Sequence, residues 1–405
     1  VRAGCALVFL VCVAGMSERA HDIVVFGATG FTGTLIAHYL AKRLAGGPIR
    51  WALAGRSREK LSRLRRELER EDERMGALPL LEARSDDPDS LRALAASTRA
   101  LITTVGPYQQ HGEPLVAACI AGGCDYFDLT GEPSWWQAIV ERYHERARSH
   151  EVMIVPSCGF ESVPEDLGVL FTLDQLPAGE PATIEAYVRA KGTFSGGTLA
   201  SALGEMPRAV AKQLRGGSRR GKGRAGEVPR SERVRQPLLA RTPEGEWAVR
   251  APTIEPLVVR RTHALCGGAP LDYRQSFAFP SLGMLAKLGV GLAGTVALAS
   301  FAPTRALLQR VRPQGEGPTP EQRARSWFRI DFVGRAGGRE VHTLVRGGDP
   351  GYDETAKMIA EAAITSIEAR EQLPLRGVLT PAAALGRPLL ERLRSAGIEF
   401  VAETG

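Results

Sequence analysis

The run Asp22-Ile-Val-Val-Phe-Gly-Ala-Thr-Gly-Phe-Thr-Gly33 constrains the fold of this chain more than any other stretch. Four apolar residues, Ile23 to Phe26, lead into glycines spaced three apart, Gly27, Gly30 and Gly33. An amphipathic stretch, Leu35 to Leu44, follows at once. The pattern predicts a buried strand, a tight turn and the start of a helix. Free backbone N–H groups and the positive end of the helix dipole then converge where a pyrophosphate can sit. Gly27 allows the turn, Gly30 lets the backbone approach the phosphates, and Gly33 lets helix and strand pack closely. We therefore expect a dinucleotide along Gly27, Ala28, Thr29, Gly30, Phe31, Thr32 and Gly33. A plain strand-to-helix turn built of small residues is the alternative.

The same rhythm repeats downstream. Strand-like runs fall at Ile23–Gly27, Trp51–Gly55, Leu78–Glu82, Ala100–Val105, Tyr126–Leu129 and Val152–Pro156. Helical periodicity fills the gaps, at Gly33–Leu44, Ser57–Arg74, Pro88–Ser97, Pro114–Ala121 and Trp135–His150. Short apolar strands alternating with helices predict an α/β fold, a doubly wound parallel sheet of Rossmann type. After Pro164 the rhythm breaks. Ala182–Ala190, Arg329–Val333 and Arg339–Val345 read as strands, Asp353–Arg370 and Pro388–Ala396 as helices, and Val378–Ala384 as a turn. An α+β second domain on a mixed or antiparallel sheet is expected. The division is a leader at 1–15, a nucleotide-binding domain at 16–160, a substrate and dimerisation domain at 161–350, and a helical segment at 351–405 that packs back on the core.

Composition narrows the partners. The 405 residues are 44% hydrophobic and 24% charged, as in globular proteins. The net charge of +7 is local: Arg208 to Arg241 holds eleven Lys and Arg against two Glu, which leaves the remainder slightly acidic. No aromatic residues interleave with that basic run, so nucleic acid is not expected. A solvated loop is the plain reading, and an anionic membrane surface or an acidic acyl carrier is the competitor. Six cysteines show neither C-x-x-C spacing nor a metal-ligand cluster, and no metal is expected. Ala3 to Gly15 resembles a signal-peptide core, but Met16 stands just before the first strand and is the expected functional start; a true signal or anchor is the alternative. Ser281 to Ala302 is apolar apart from Lys287, which suits a buried helix, a membrane-surface segment or a marginal span. A cytoplasmic protein is the expected setting, with peripheral contact with a membrane and a homodimer both left open.

Candidate chemistry gathers after the strand ends. The second strand runs into Arg56 and Ser57, where an NAD-selective site usually places an acidic residue for the ribose. A guanidinium suits a 2′-phosphate, so NADP(H) is favoured over NAD(H), against the alternative of a solvated arginine. Val105, Gly106 and Pro107 should pass near the nicotinamide ribose. Tyr108 should point over the crevice as a proton donor or a wall residue. Asp128, Glu132, Glu161 and Asp166 lie in loops at the same sheet edge, and Glu132 and Glu161 are candidate acid or base groups; helix capping is the plainer role for Ser162 and Asp166.

Several of these motifs carry a family resemblance. Gly27-Ala-Thr-Gly-Phe-Thr-Gly33, Ala54-Gly-Arg-Ser-Arg-Glu-Lys-Leu61, Val105-Gly-Pro-Tyr108, Asp128-Leu-Thr-Gly-Glu132 and Cys158-Gly-Phe-Glu-Ser-Val-Pro-Glu-Asp166 resemble the saccharopine dehydrogenase-like oxidoreductases. The similarity is greatest to their trans-acting enoyl reductase branch, and Lys191–Thr198, Gly348–Tyr352 and Gly377–Pro381 extend it. The resemblance implies NAD(P)H-dependent reduction, with lipid or polyketide-type acyl substrates in mycobacterial members and membrane association in animal relatives. Glu161 departs from it, standing where the family usually has Asp. The leading expectation is an NADPH-dependent enoyl reductase. A nucleotide-binding membrane scaffold without turnover and a saccharopine-like imine or amino-acid reductase are the alternatives.

Overall fold

The computed structural model describes residues 19–192, 239–250, 253–287 and 317–403. The expected leader, most of the basic run and the greater part of the 281–302 segment lie outside them. Residues 281–287 are described, and Leu282 and Met284 are exposed there.

The first sheet follows from the repeating units. β1 (His21–Phe26) is buried at every position, and its side chains alternate between two cores. Ile23 and Val25 face α1 (Phe31–Arg43) and α2 (Arg58–Glu71), whereas Val24 and Phe26 face α3 (Pro88–Ser97), α4 (Tyr108–Gly122) and α5 (Pro133–Ser149). Such two-sided burial explains why the strands read as continuous apolar runs. β2 (Trp51–Gly55), β3 (Leu80–Glu82), β4 (Thr98–Thr103), β5 (Asp125–Phe127) and β6 (Met153–Val155) join it in parallel. The strand order is β3-β2-β1-β4-β5-β6, then β13 (Gly377–Val378). The chain therefore reverses its direction of travel between β1 and β4, where ligands of doubly wound sheets bind.

The second sheet is mixed, as expected. Its order is β14 (Glu399–Glu403), β12 (Arg339–Gly347), β11 (Trp327–Ala336), β7 (Ala182–Lys191), β10 (Leu271–Phe279), β9 (Trp247–Val249) and β8 (Leu239–Arg241). Only β7 and β10 pair in parallel among the described strands. One face of it, with Ile184, Val188, Ile330 and Phe332, joins the main core. The other carries cross-strand ion pairs such as Arg335 with Glu185 and Arg189 with Asp331.

α6 (Val163–Leu173) joins the two sheets. It leaves the end of β6 and lies on the second sheet, where a Cβ at Gly168 would stand 2.4 Å from the Phe332 ring. α7 (Glu255–Cys266) packs beside α6 and against β10. The C-terminal part returns to the core and serves both sheets: α8 (Asp353–Glu368) covers the first sheet, β13 extends it, and β14 extends the second. The helix α9 (Pro381–Ser395) merges the expected turn and helix across a non-helical Gly386. The fully buried Glu361 ties α8 to its neighbours, accepting from Tyr39 (2.7 Å) and Arg43 (2.7 Å) of α1 and from Arg392 (2.8 Å) of α9.

Candidate active site

The glycine turn has the geometry its spacing predicts. Gly27 sits at φ +84°, a region costly for other residues, and its carbonyl accepts from Thr104 Oγ1 (3.1 Å). A Cβ at Gly33 would lie 2.2 Å from the Gly27 oxygen, so only glycine lets α1 start this close to β1. Gly30 is the N-cap of α1 and supplies no side-chain cap. The first-turn N–H groups of α1, from Phe31, Thr32 and Gly33, lack intrahelical acceptors by position and suit a pyrophosphate. A pyrophosphate needs this cradle free of Cβ atoms, and the residues present fit it.

Neighbouring chain ends frame the turn. Val105 lies beside Gly27, where an added Cβ would come within 2.9 Å of its side chain. Gly106 and Pro107, joined by a cis peptide bond, carry the chain on into α4. At the end of β2, Arg56 is exposed and Ser57 caps α2, its hydroxyl accepting from the Lys60 N–H (3.3 Å). Residues of the second half cover Phe31: Tyr352 meets it edge-on at 4.8 Å and the Arg323 guanidinium stands 5.8 Å from its ring.

Tyr108 does not point over this edge. It is buried in the first turn of α4, its hydroxyl donating to Thr103 O (3.2 Å) and accepting from Leu129 N (3.2 Å). Burial pushes its pKa well up, with the Asp128 charge adding to the effect. The phenol thus ties the end of β4 at Thr103 to the loop after β5 at Leu129. Glu132 is likewise committed: its two oxygens accept from the N–H groups of Tyr108 (3.1 Å) and Gln109 (3.1 Å). An anion there complements the α4 dipole, and Glu132 therefore serves as that helix's cap. Asp128 is fully buried and accepts from Tyr126 OH (2.7 Å), Thr130 N (2.9 Å) and Ser157 N (2.9 Å). Burial pushes it up to about 6 in spite of these bonds. Asp166 accepts from Thr262 and from the first-turn N–H of Ala382 in α9 (2.8 Å). Burial pushes it up to about 6 as well.

Glu161 differs from these four. It is only partly buried, and one oxygen accepts from Gly159 N (3.1 Å) within its own loop. Its carboxylate lies beside Leu129, because a Cβ on Gly159 would come within 2.6 Å of Glu161 Oε2 and 2.9 Å of Leu129. Burial pushes its pKa up to about 8, and the charges of Asp128 and Glu255 push the same way. The shift favours the protonated form of a group that stands where the β5 and β6 loops meet. Glu165 and Glu255 stand deeper, and the sequence pattern did not single them out. Glu165 lay within a motif read for its neighbours, and Glu255 follows a stretch with no distinctive spacing.

This arrangement is that of a nucleotide-binding sheet, and comparisons with known proteins supply the class. Residues 23–155 match the family model for the saccharopine dehydrogenase NADP binding domain. A Mycobacterium tuberculosis protein provisionally named as a trans-acting enoyl reductase is 38% identical, over 95% of this chain and 98% of its own. A second protein of that organism, named trans-acting enoyl reductase, is 35% identical over 94% and 97%. An Arabidopsis thaliana saccharopine dehydrogenase-like oxidoreductase is 30% identical over 95% and 96%. In fold, the chain matches apo saccharopine dehydrogenase (L-Glu forming) from Saccharomyces cerevisiae, at a TM-score of 0.57 and 11% identity over 95% of this chain and all of that one. The chain belongs to the saccharopine dehydrogenase-like oxidoreductase family, in the branch of the trans-acting enoyl reductases. Its cofactor is NADP(H). Among the described residues no helix is long and apolar enough to cross a membrane.

Proposed function

We propose that the protein is an NADPH-dependent reductase of a carbon–carbon double bond conjugated to a carbonyl, with Glu161 as the proton donor and an α,β-unsaturated acyl group as the substrate. The observation that carries the reading is the contrast at one sheet edge. Of Asp128, Glu132, Glu161, Glu165 and Asp166, only Glu161 is not fully buried, and its pKa is raised to about 8. NADPH, when bound, supplies a hydride to the β carbon. The chain's own work is to hold the pyrophosphate on the N–H groups of Phe31, Thr32 and Gly33, and the 2′-phosphate on Arg56. Val105, Gly106 and Pro107 form the wall beside that turn. Glu161 then gives its proton to the α carbon and is left as a carboxylate, which balances the hydride added to the β carbon. The names of the mycobacterial relatives support the enoyl class of substrate.

The test is single-turnover mixing of NADPH-loaded protein with enoyl thioesters of several chain lengths. Loss of the NADPH absorbance is expected, slowed in Glu161→Gln. Absorbance that stays constant for every chain length sinks the reading.

A further inference from the structure

The loop that carries Glu161 is tied to the C-terminal part of the chain through a threonine hydroxyl. Thr355, in the first turn of α8, is buried. Its hydroxyl accepts from the Phe160 N–H (3.1 Å) and donates to the Pro350 carbonyl (2.8 Å). A hydroxyl has a single proton to give, so the two bonds can run only in this sense. One end of the tie lies in the same turn as Thr355, and the other is 195 residues away in sequence.

The Phe160 end bears on the proposed acid. Phe160 immediately precedes Glu161, and the carbonyl of the Gly159–Phe160 peptide accepts from Ser162 N (3.2 Å) and Val163 N (3.0 Å) at the entry to α6. Holding the N–H of that same planar unit fixes its orientation, and with it the path of the chain through Glu161. The Phe160 ring adds a second anchor, 5.0 Å from the Phe328 ring. The Pro350 end bears on the cofactor turn. Pro350 lies in the turn Gly348–Tyr352, which Asp349 fastens to α8 by accepting from Asp353 N (3.2 Å) and Glu354 N (3.0 Å). Tyr352 meets Phe31 edge-on at 4.8 Å, and the Phe31 N–H is one of those placed for the pyrophosphate. Thr355 thus stands between the segment that touches the glycine turn and the segment that presents Glu161.

We propose that Thr355 is a positioning residue for Glu161, its hydroxyl holding the acid's loop in place against the cofactor turn. The inference rests on the role given to Glu161 above. A catalytic group loses rate steeply when its supporting contacts let it drift, while binding carried by other groups is spared. Thr355→Val keeps the side-chain shape and removes the hydroxyl, which leaves the Phe160 N–H and the Pro350 carbonyl unpaired. Thr355→Ser keeps the hydroxyl and loses only a methyl group. Neither substitution removes a donor of the pyrophosphate cradle.

Single-turnover reduction of an enoyl thioester by the NADPH-loaded full chain tests this, with NADPH affinity measured alongside. Thr355→Val should reduce about tenfold more slowly with unchanged NADPH affinity, and Thr355→Ser should recover most of the rate. In the Glu161→Gln background Thr355→Val should cost little more, because the group it positions is already gone. A wild-type rate in Thr355→Val overturns the proposal, and so does a full additional loss on top of Glu161→Gln or a parallel loss of NADPH binding. Hydrogen exchange of the unliganded chain, resolved to single amides by mass spectrometry, gives a readout without turnover. The Phe160 amide should exchange slowly in the wild type and in Thr355→Ser, and fast in Thr355→Val. Fast exchange in the wild type overturns the proposal even if Thr355→Val fails to fold. Absence of any reduction by the wild type sinks the role of Glu161 and this inference with it, whereas reduction that Thr355→Val leaves untouched sinks the inference alone.

Discussion

Two loops at the same edge of the first sheet are equally rich in carboxyl groups and differ in how those groups are satisfied. After β5, Asp128 and Glu132 give every oxygen a donor, chiefly backbone N–H groups of α4 and of the β6 loop. After β6, Glu161 uses one oxygen on its own loop, and Glu165 keeps one with no partner. The first loop is a clamp that fixes where α4 begins. The second keeps hydrogen-bonding capacity that the fold does not consume. An acidic residue near a nucleotide-binding edge is thus insufficient evidence of chemistry; what matters is whether its hydrogen-bonding capacity is spent.

Four experiments on three variants would break or sharpen that contrast. The largest effect should come from Glu161→Gln, with a loss of about 100-fold or more in single-turnover reduction, the usual scale for a general acid. NADPH affinity, measured by fluorescence titration, should be unchanged; a parallel loss of binding would assign Glu161 to the cofactor site instead. Next, Glu132→Ala leaves the N–H groups of Tyr108 and Gln109 without their acceptor, and should cost about 1–3 kcal/mol in urea unfolding. Its reduction rate should keep the wild-type pH profile, and a shifted profile would erase the distinction between the loops.

Arg56→Ala should weaken NADPH binding roughly tenfold, the scale of one charge-assisted contact, with NADH little affected. Equal affinities in the wild type would remove Arg56 from the cofactor site. The last effect concerns stability against pH. The folded pKa of Glu161 is raised to about 8 from an ordinary value of 4.5, so the folded state binds its proton more tightly than the unfolded one. The stabilisation is complete below the unfolded value and fades as pH rises through the folded one. Urea midpoints should therefore fall less between pH 5 and 8 in Glu161→Gln than in the wild type.

Much of the fold was legible from local patterns. β2 and α3 occupy the expected residues, and α1, α5, β7 and α8 differ by a few residues at their ends. Apolar runs with turn glycines carry their own signal. α4 starts six residues earlier than its periodicity suggested, at Tyr108 instead of Pro114. A cap supplied from another loop, Glu132, sustains that first turn, and no local pattern could show it. α6, α7, β8, β9, β10, β13 and β14 were not anticipated; they are short or weakly patterned and gain their order from neighbours distant in sequence.

The sequence by itself determined the glycine turn. Backbone geometry at Gly27 and the missing Cβ at Gly33 are properties of the residues, and they require nothing from the rest of the chain. Tertiary structure alone decided the fate of the acidic groups. Whether Tyr108, Glu132 or Glu161 has a proton to give depends on burial and on partners more than twenty residues away. Desolvation and hydrogen-bond pairing are three-dimensional quantities, so the burial of Glu165 and Glu255 had no signature in the sequence.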